Sequence, residues 1–252
     1  MKLGLIGFGK AGKAVATLII QNGEHSLEWV LKRSSHLENR SISEFLGLST
    51  RNKAGQIYSS SSIEINEFLD KYPVDYIIDF STETGIYYYG KAASQRGINI
   101  ISAISHYSKK EMQLLNTLSK EIIVFWSPNI TLGVNYLLFA AKSLKEIAPW
   151  VEIEVIEEHF KAKSGVSGTA LKIAKVLNLE QSQVNSIRVG GIVGRHEIVF
   201  GFPFQTVRLI HESVSREAFG NGILYVIDNI KDKNKGFYNF EDILIKNIEP
   251  SS

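Results

Sequence analysis

The stretch Leu3-Gly4-Leu5-Ile6-Gly7-Phe8-Gly9-Lys10-Ala11-Gly12 decides the fold. Leu3 to Ile6 reads as a short apolar strand, the glycine-rich run follows at once, and Ala14, Val15, Leu18 and Ile19 then recur at helical spacing. Glycine-rich turns are common, and it is the strand-turn-helix context that makes this one a dinucleotide fingerprint. Its glycines permit a tight turn and close approach of a pyrophosphate, which rests on the helix N-terminus. Gly7, Phe8, Gly9, Lys10, Ala11 and Gly12 are therefore candidate cofactor-binding residues.

The second strand, Leu27 to Leu31, ends in Lys32-Arg33-Ser34-Ser35. In folds of this kind an acidic residue after the second strand holds the ribose 2′-hydroxyl of NAD, whereas cations and hydroxyls suit the 2′-phosphate of NADP. No carboxylate occurs between Trp29 and Leu37, so NADPH is the expected cofactor, with NADH the alternative. Lys32 and Arg33 are candidate contacts; ordinary solvated loop charges are the competing reading.

Tyr76 to Ser81, Ile98 to Ser102 and Ile122 to Trp126 read as further strands, with helices over Thr84 to Gln95 and Lys109 to Ser119. The alternation predicts an α/β, Rossmann-type doubly wound parallel sheet. Ligands of such sheets bind at the C-terminal ends of strands, which adds Phe80, Ser81, Ser102, Ala103, Ser127 and Asn129 to the cofactor candidates. Asp79 is expected to fix the loop below the nicotinamide. Glu38 to Ser62 reads as irregular surface with one short helix near Ile42 to Leu46.

Beyond Asn129 the pattern changes. A helix over Leu132 to Ile147 is followed by alternating strands at Val151 to Ile156, Ser186 to Val193, Glu197 to Phe200 and Thr206 to Ser213, and by a helix from Ser215, its N-cap, to Ile230. This predicts a smaller α+β domain with an open mixed sheet. The expected division is a dinucleotide-binding domain of residues 1–128, completed by the tail 217–252, and a substrate-binding and oligomerisation domain of residues 129–216. The second sheet is expected to leave a broad apolar face, with Val199 to Phe204 and Val207 to Ile210 as association surfaces.

The chemistry concentrates in Glu157-Glu158-His159-Phe160-Lys161-Ala162-Lys163-Ser164-Gly165-Val166-Ser167-Gly168-Thr169-Ala170-Leu171. A proton donor, two cations and a turn opening a helix, with Leu171, Ala174 and Leu177 on one face, lie in one strand-to-helix loop. The backbone amides of Gly168, Thr169 and Ala170 are expected to receive a carboxylate or phosphate. A lone strand-end histidine is usually structural; the adjacent cations and anion seat favour His159 as an acid. His196 and His211 read as structural, and Arg216 either caps a carbonyl or binds a phosphate.

A formal net charge of +2 in 252 residues does not suggest a nucleic-acid binder, and the absence of cysteine excludes disulfides and thiolate chemistry. The scattered histidines form no metal constellation. No run approaches membrane-span length and nothing ahead of the first strand reads as a leader, so a cytoplasmic protein is expected.

Nearly the whole chain resembles the dihydrodipicolinate reductase (4-hydroxy-tetrahydrodipicolinate reductase) family. The resemblance rests on the fingerprint, on Asp79-Phe80-Ser81, on Ser127 to Asn135, on Gly191-Ile192-Val193-Gly194-Arg195-His196-Glu197 and on His211 to Phe219, which is similar to the family's His-x-Ala-x-Ser-Arg-x-x-Phe. It implies NADPH-dependent reduction of 4-hydroxy-tetrahydrodipicolinate in lysine and diaminopimelate biosynthesis, by a homotetramer. By the same resemblance His159 is the acid-base residue, Lys163 its cationic partner, and Ser167, Gly168 and Thr169 the seat of a carboxylate of a small dicarboxylate substrate.

The departures fall at the same place. The family's His-His pair is His159-Phe160 here, which puts Phe160 in the substrate site. Its Asp-Ala-Pro is shortened to Gly165-Val166, and its Gly-Thr-Thr-Gly is replaced by Ser102-Ala103-Ile104-Ser105-His106. His106 is a candidate to take over from the missing histidine. Two alternatives stay open: a related reductase of another small carboxylated imine or oxo acid, and a catalytically inactive nucleotide-binding sensor.

Overall fold

A computed structural model describes residues 1–49 and 54–248, so residues 50–53 of the serine-rich segment and 249–252 of the expected tail lie outside the described residues. The chain divides into two compact units, one of Met1–Ile130 with the described residues from Phe219 on, the other of Thr131–Ala218.

The first unit opens with β1 (Lys2–Ile6), α1 (Lys10–Asn22), β2 (Ser26–Lys32), α2 (Ile42–Phe45), β3 (Gln56–Ser59), α3 (Ile65–Lys71), β4 (Tyr76–Asp79), α4 (Ile86–Gln95), β5 (Asn99–Ser102), α5 (Lys109–Leu118) and β6 (Ile123–Trp126). The second contains α6 (Leu132–Ile147), β7 (Glu152–His159), α7 (Gly168–Val176), β8 (Val184–Arg188), β9 (Arg195–Phe202) and β10 (Gln205–Glu212). The chain then adds α8 (Ala218–Ile230), β11 (Gly236–Tyr238) and α9 (Phe240–Ile248) to the first.

The first unit is a parallel sheet in the order β11-β6-β5-β4-β1-β2-β3. Its strands are buried on both sides, as helices over both faces require: all four residues of β4 are inaccessible. Strand order reverses between β1 and β4, which leaves a crevice at their C-terminal ends. Gly7 makes the crevice tight. Its φ of +94° is open to glycine, and a Cβ there would stand 2.5 Å from the Phe80 carbonyl.

The second unit packs a mixed sheet, β10-β9-β7-β8, on α6 and α7. β7 and β8 are parallel, joined through α7, while β7–β9 and β9–β10 are antiparallel. Ile153, Val155, Ile198 and Phe200 face the helices.

Five expectations are corrected. The segment Glu38 to Ser62 is not wholly irregular: Gln56–Ser59 is β3, too short for its own alternation to show, and formed by pairing with β2. The strand placed at Ser186 to Val193 ends at Arg188, because the chain turns at Gly190 with φ +55°. The helix from Ser215 begins at Ala218. On α7 the buried residues are Ala170, Ile173 and Ala174, with Leu177 at the C-cap, whereas Leu171 is exposed. The open face of the second sheet is not broadly apolar, since Arg195 bridges Glu158 and Glu197, and Glu197 also pairs with Arg208, among Ile156, Val199 and Ile210.

Gly12 provides a test of the crevice. A Cβ there would lie 2.0 Å from the Gly7 carbonyl oxygen, a backbone atom that cannot swing aside. Alanine in a helix is worth up to about 1 kcal/mol over glycine, and overpacking costs about 1–3 kcal/mol, so the clash wins. Gly12→Ala is expected to lower the urea midpoint and weaken nucleotide binding; an unchanged midpoint would show that the turn is slack.

Candidate active site

In the first unit, Gly7, Phe8, Gly9, Lys32, Arg33, Phe80 and Ser81 line one groove of about 650 Å³. The residues fit a nicotinamide dinucleotide. Gly9 caps α1 without a side chain, a Cβ on it would meet nothing within 4 Å, and the first-turn amides are left to an outside acceptor. Lys10 and Ala11 form that first turn, and Gly12 packs against Gly7. The Phe8 ring is buried beside Phe45, 5.6 Å between centroids, so Phe8 offers the groove mainly its backbone.

Lys32 lines the groove while its ammonium donates to the His36 carbonyl at 2.7 Å, and Arg33 is exposed beside it. Ser102, Ala103, Ser127 and Asn129 are not among the groove's lining residues. They follow along the same sheet edge, where Ser102 pairs in register with Asp79, its hydroxyl bonds Tyr107 at 2.8 Å, and Ser127 donates to the Asn129 carbonyl at 2.5 Å. Asp79 is fully buried and accepts from the Ser81 amide at 2.8 Å, the Ser81 hydroxyl at 2.6 Å and the Tyr89 hydroxyl at 2.8 Å. Burial raises its pKa, and these neutral donors only partly offset that.

In the second unit a polar row crosses the helix-facing side of the sheet. Ser186, Glu157, His196 and His211 are successive register partners on β8, β7, β9 and β10. His159, one position further along that face of β7, is buried, and its Nδ1 bonds Glu157 Oε2. Glu157 is wholly inaccessible; its Oε1 accepts from Arg188, from the Ser186 hydroxyl at 2.6 Å and from the Ser167 amide at 3.3 Å. Burial pushes this carboxyl up, but Arg188, Ser186 and His159 outweigh it and hold it at about 2.

Burial lowers the His159 pKa, Glu157 opposes that, and the charges on Lys163 and Arg188 add to the lowering. Lys163 therefore acts on His159 through its field; its backbone carbonyl accepts from Arg188 Nε at 3.1 Å. Ser167 caps α7 by accepting from the Ala170 amide at 3.0 Å, and its hydroxyl bonds His196 Nε2 at 2.9 Å. The Ala170 amide is thus already taken, which corrects its place in the expected anion seat. Gly168 opens the helix, and a Cβ on it would meet nothing within 4 Å. Phe160 is 43% exposed, beside the buried His159.

Ser34, whose hydroxyl the sequence sets beside Lys32 and Arg33, lines the groove as well, whereas sequence reading overlooked Ser60, Thr82, Thr84 and Tyr88. Ser60 follows β3, so the strand-end rule would have found it had β3 been recognised. It also overlooked Glu157 and Arg188 as site residues and set His196 apart as structural, although the His196 and His159 rings lie 5.3 Å apart. One signal was present: alternation puts Glu157 on the face of Ile153 and Val155, and a carboxylate on a core-facing position needs partners. Among the described residues no group of three His, Asp or Glu could hold a metal ion, and no helix is long and apolar enough to cross a membrane.

A fingerprint crevice of this topology is a dinucleotide site, and together with the family that the chain matches it makes the protein a nicotinamide-nucleotide-dependent oxidoreductase. Residues 1–130 match the model of the dihydrodipicolinate reductase N-terminus and residues 130–244 that of its C-terminus, and the chain belongs to this family. It is 32% identical over 198 residues to the 4-hydroxy-tetrahydrodipicolinate reductase of Caldanaerobacter subterraneus subsp. tengcongensis, covering 70% of this chain and 79% of that protein. It is 27% identical to the enzyme of the same name from Buchnera aphidicola subsp. Schizaphis graminum, covering 94% and 93%. Among solved structures, the dipicolinate-bound dihydrodipicolinate reductase of Paenisporosarcina sp. TG-14 superposes with a TM-score of 0.75 at 18% identity, covering 95% and 97%.

Burial, with the neighbouring His159 and His211, pushes the His196 pKa down to about 4. Because the folded value lies below the unfolded one, the unfolded chain binds more protons in between. Stability is then full above roughly pH 6.5 and falls as pH drops toward about 4. His159 and His211, also lowered, act in the same direction. Urea unfolding is expected to weaken by about 2 kcal/mol between roughly pH 6.5 and 5 through His196 alone. His196→Asn should flatten this dependence; an equally steep fall would assign it elsewhere.

Proposed function

We propose that the protein reduces 4-hydroxy-tetrahydrodipicolinate to tetrahydrodipicolinate, with NADPH preferred over NADH. The observation that carries this reading is the His159 acid held beside the Ser167-Gly168 turn by one buried carboxylate. The name of the relatives and the planar dicarboxylate bound in the Paenisporosarcina structure support the substrate class. Lys32, Arg33, Ser34 and Ser60, cations and hydroxyls in one groove, support the 2′-phosphate.

When bound, the reduced nicotinamide supplies a hydride. Gly7, Phe8, Gly9, the first turn of α1, Phe80 and Ser81 hold the dinucleotide, while Ser102, Ala103, Ser127 and Asn129 border its nicotinamide end. In the second unit Ser167, Gly168 and Thr169 seat a substrate carboxylate, and Lys163 offsets its charge and fixes its pose. His159 delivers the proton that neutralises the charge left on the conjugated imine. Phe160 supplies an apolar wall where a second histidine would supply a polar one. That exposed ring favours a second reading, a related imine as the preferred substrate.

NADPH oxidation with enzymatically generated 4-hydroxy-tetrahydrodipicolinate tests the assignment. Wild-type turnover is expected to fall by about a hundredfold or more in His159→Ala. Full activity in that variant would remove His159 from the chemistry. A strong gain in Phe160→His would instead favour the second reading.

A cytoplasmic homotetramer completes this reading. It is supported by Phe204, fully exposed at the tip of the β9–β10 hairpin with φ +63°, and by exposed Ile210 on the edge strand β10. Sedimentation equilibrium is expected to give the mass of four chains; a monomer at micromolar concentration would overturn the assembly.

A further inference from the structure

Glu157 is the one carboxylate in the second unit with no accessible surface, and in the hydride and proton transfers proposed above it touches neither substrate nor cofactor. Its two oxygens are divided between different tasks. Oε1 receives Arg188 from the end of β8, Ser186 from the register position opposite, and the amide of Ser167 from the turn that opens α7. Oε2 is left for His159 Nδ1. An ionised carboxylate only accepts, so the shared proton belongs to His159 Nδ1. Both ends of the pair are buried, which leaves the imidazole little freedom to rotate or change tautomer.

The other ring nitrogen has a different setting. His159 Nε2 lies beside Gly194, where a Cβ would come within 3.1 Å, so the missing side chain leaves room next to that atom. The charged and titratable groups around the ring are Glu157 on its own strand, Arg188 on β8, His196 on β9 with His211 behind it on β10, and Lys163 in the following loop. Among the charges on the ring, Lys163 and Arg188 disfavour an imidazolium and Glu157 favours it. Resting on the proposed role of His159, we infer that Glu157 is the positioning residue of this site. It keeps the proton on His159 Nδ1, makes Nε2 the atom that exchanges protons with substrate, and ties the acid to the first residue of the anion seat.

The proton balance is simple. The imidazolium loses its Nε2 proton to the substrate atom that has gained negative charge, a bond to hydrogen forms there, and the ring returns to the neutral Nδ1–H tautomer. Water then reprotonates Nε2. Throughout, the Nδ1–H···Oε2 bond stays in place, so no reorientation intervenes.

Two measurements test this. Steady-state kinetics over a pH series, on wild type, Glu157→Gln and His159→Ala, should show kcat reduced about ten- to a hundredfold in Glu157→Gln. KM and NADPH affinity should stay within about threefold of wild type, and the falling alkaline limb should move to lower pH, because the only group favouring the imidazolium is gone. If His159→Ala is inactive while Glu157→Gln keeps the wild-type kcat and limb, the positioning role is wrong and the reading of His159 stands. If His159→Ala is fully active, the reading of His159 fails instead.

Histidine ¹⁵N NMR of the wild-type protein, with His159 assigned by its loss in His159→Ala, does not depend on Glu157→Gln folding. Neutral His159 is expected as the Nδ1–H tautomer, and an Nε2–H tautomer would overturn the proposal.

Discussion

Each unit is organised around a carboxylate taken out of water at the C-terminal end of a strand, and the two are satisfied differently. Asp79 is surrounded by an amide and two hydroxyls, all neutral, and its pKa is raised. Glu157 has a guanidinium and an imidazole among its donors, and its pKa falls to about 2. Both are fully inaccessible, so burial alone does not separate them. Charge-assisted hydrogen bonds are about twice as strong as neutral ones in this setting, and that difference reverses the sign. Asp79 is thus suited to shaping the Phe80-Ser81 loop, whereas Glu157 stays ionised and can hold a proton on its neighbour.

The helix N-termini show a matching contrast. Gly9 gives α1 no side-chain cap, so its first-turn amides remain for a ligand, and the absent Cβ leaves space for one. Ser167 caps α7 with its own hydroxyl and takes the Ala170 amide, and its backbone amide is drawn to Glu157. The first end thus keeps its backbone amides and open space, as the proposed dinucleotide site requires. The second spends two groups of Ser167 on internal order, so the seat proposed there is the smaller of the two.

The open face of the second sheet has a related logic. Glu158, Arg195, Glu197 and Arg208 pair across β7, β9 and β10 and place charge between the aliphatic side chains of Ile156, Val199 and Ile210. A charged lattice of this kind keeps an exposed sheet from sticking indiscriminately, while the apolar residues between the pairs still leave area to bury against a matching surface.

The glycine run, the alternation of strand and helix as far as Trp126, and the change of pattern after Asn129 were legible because they are local. A positive φ at Gly7, an uncapped helix at Gly9 and the two-residue period of β7 are properties of neighbouring residues in the chain. The loop that carries His159, Lys163 and Ser167 was visible for the same reason. Tertiary structure alone decided the rest. β3 and β11 are strands because β2 and β6 offer them an edge, and no periodicity within four or three residues could announce that. Glu157 is inaccessible because β8, β9 and α7 close over it. Arg188 and Ser186 reach it from 31 and 29 positions away in sequence. An ion pair's value depends on the water removed around it, and that is settled only once distant segments have packed.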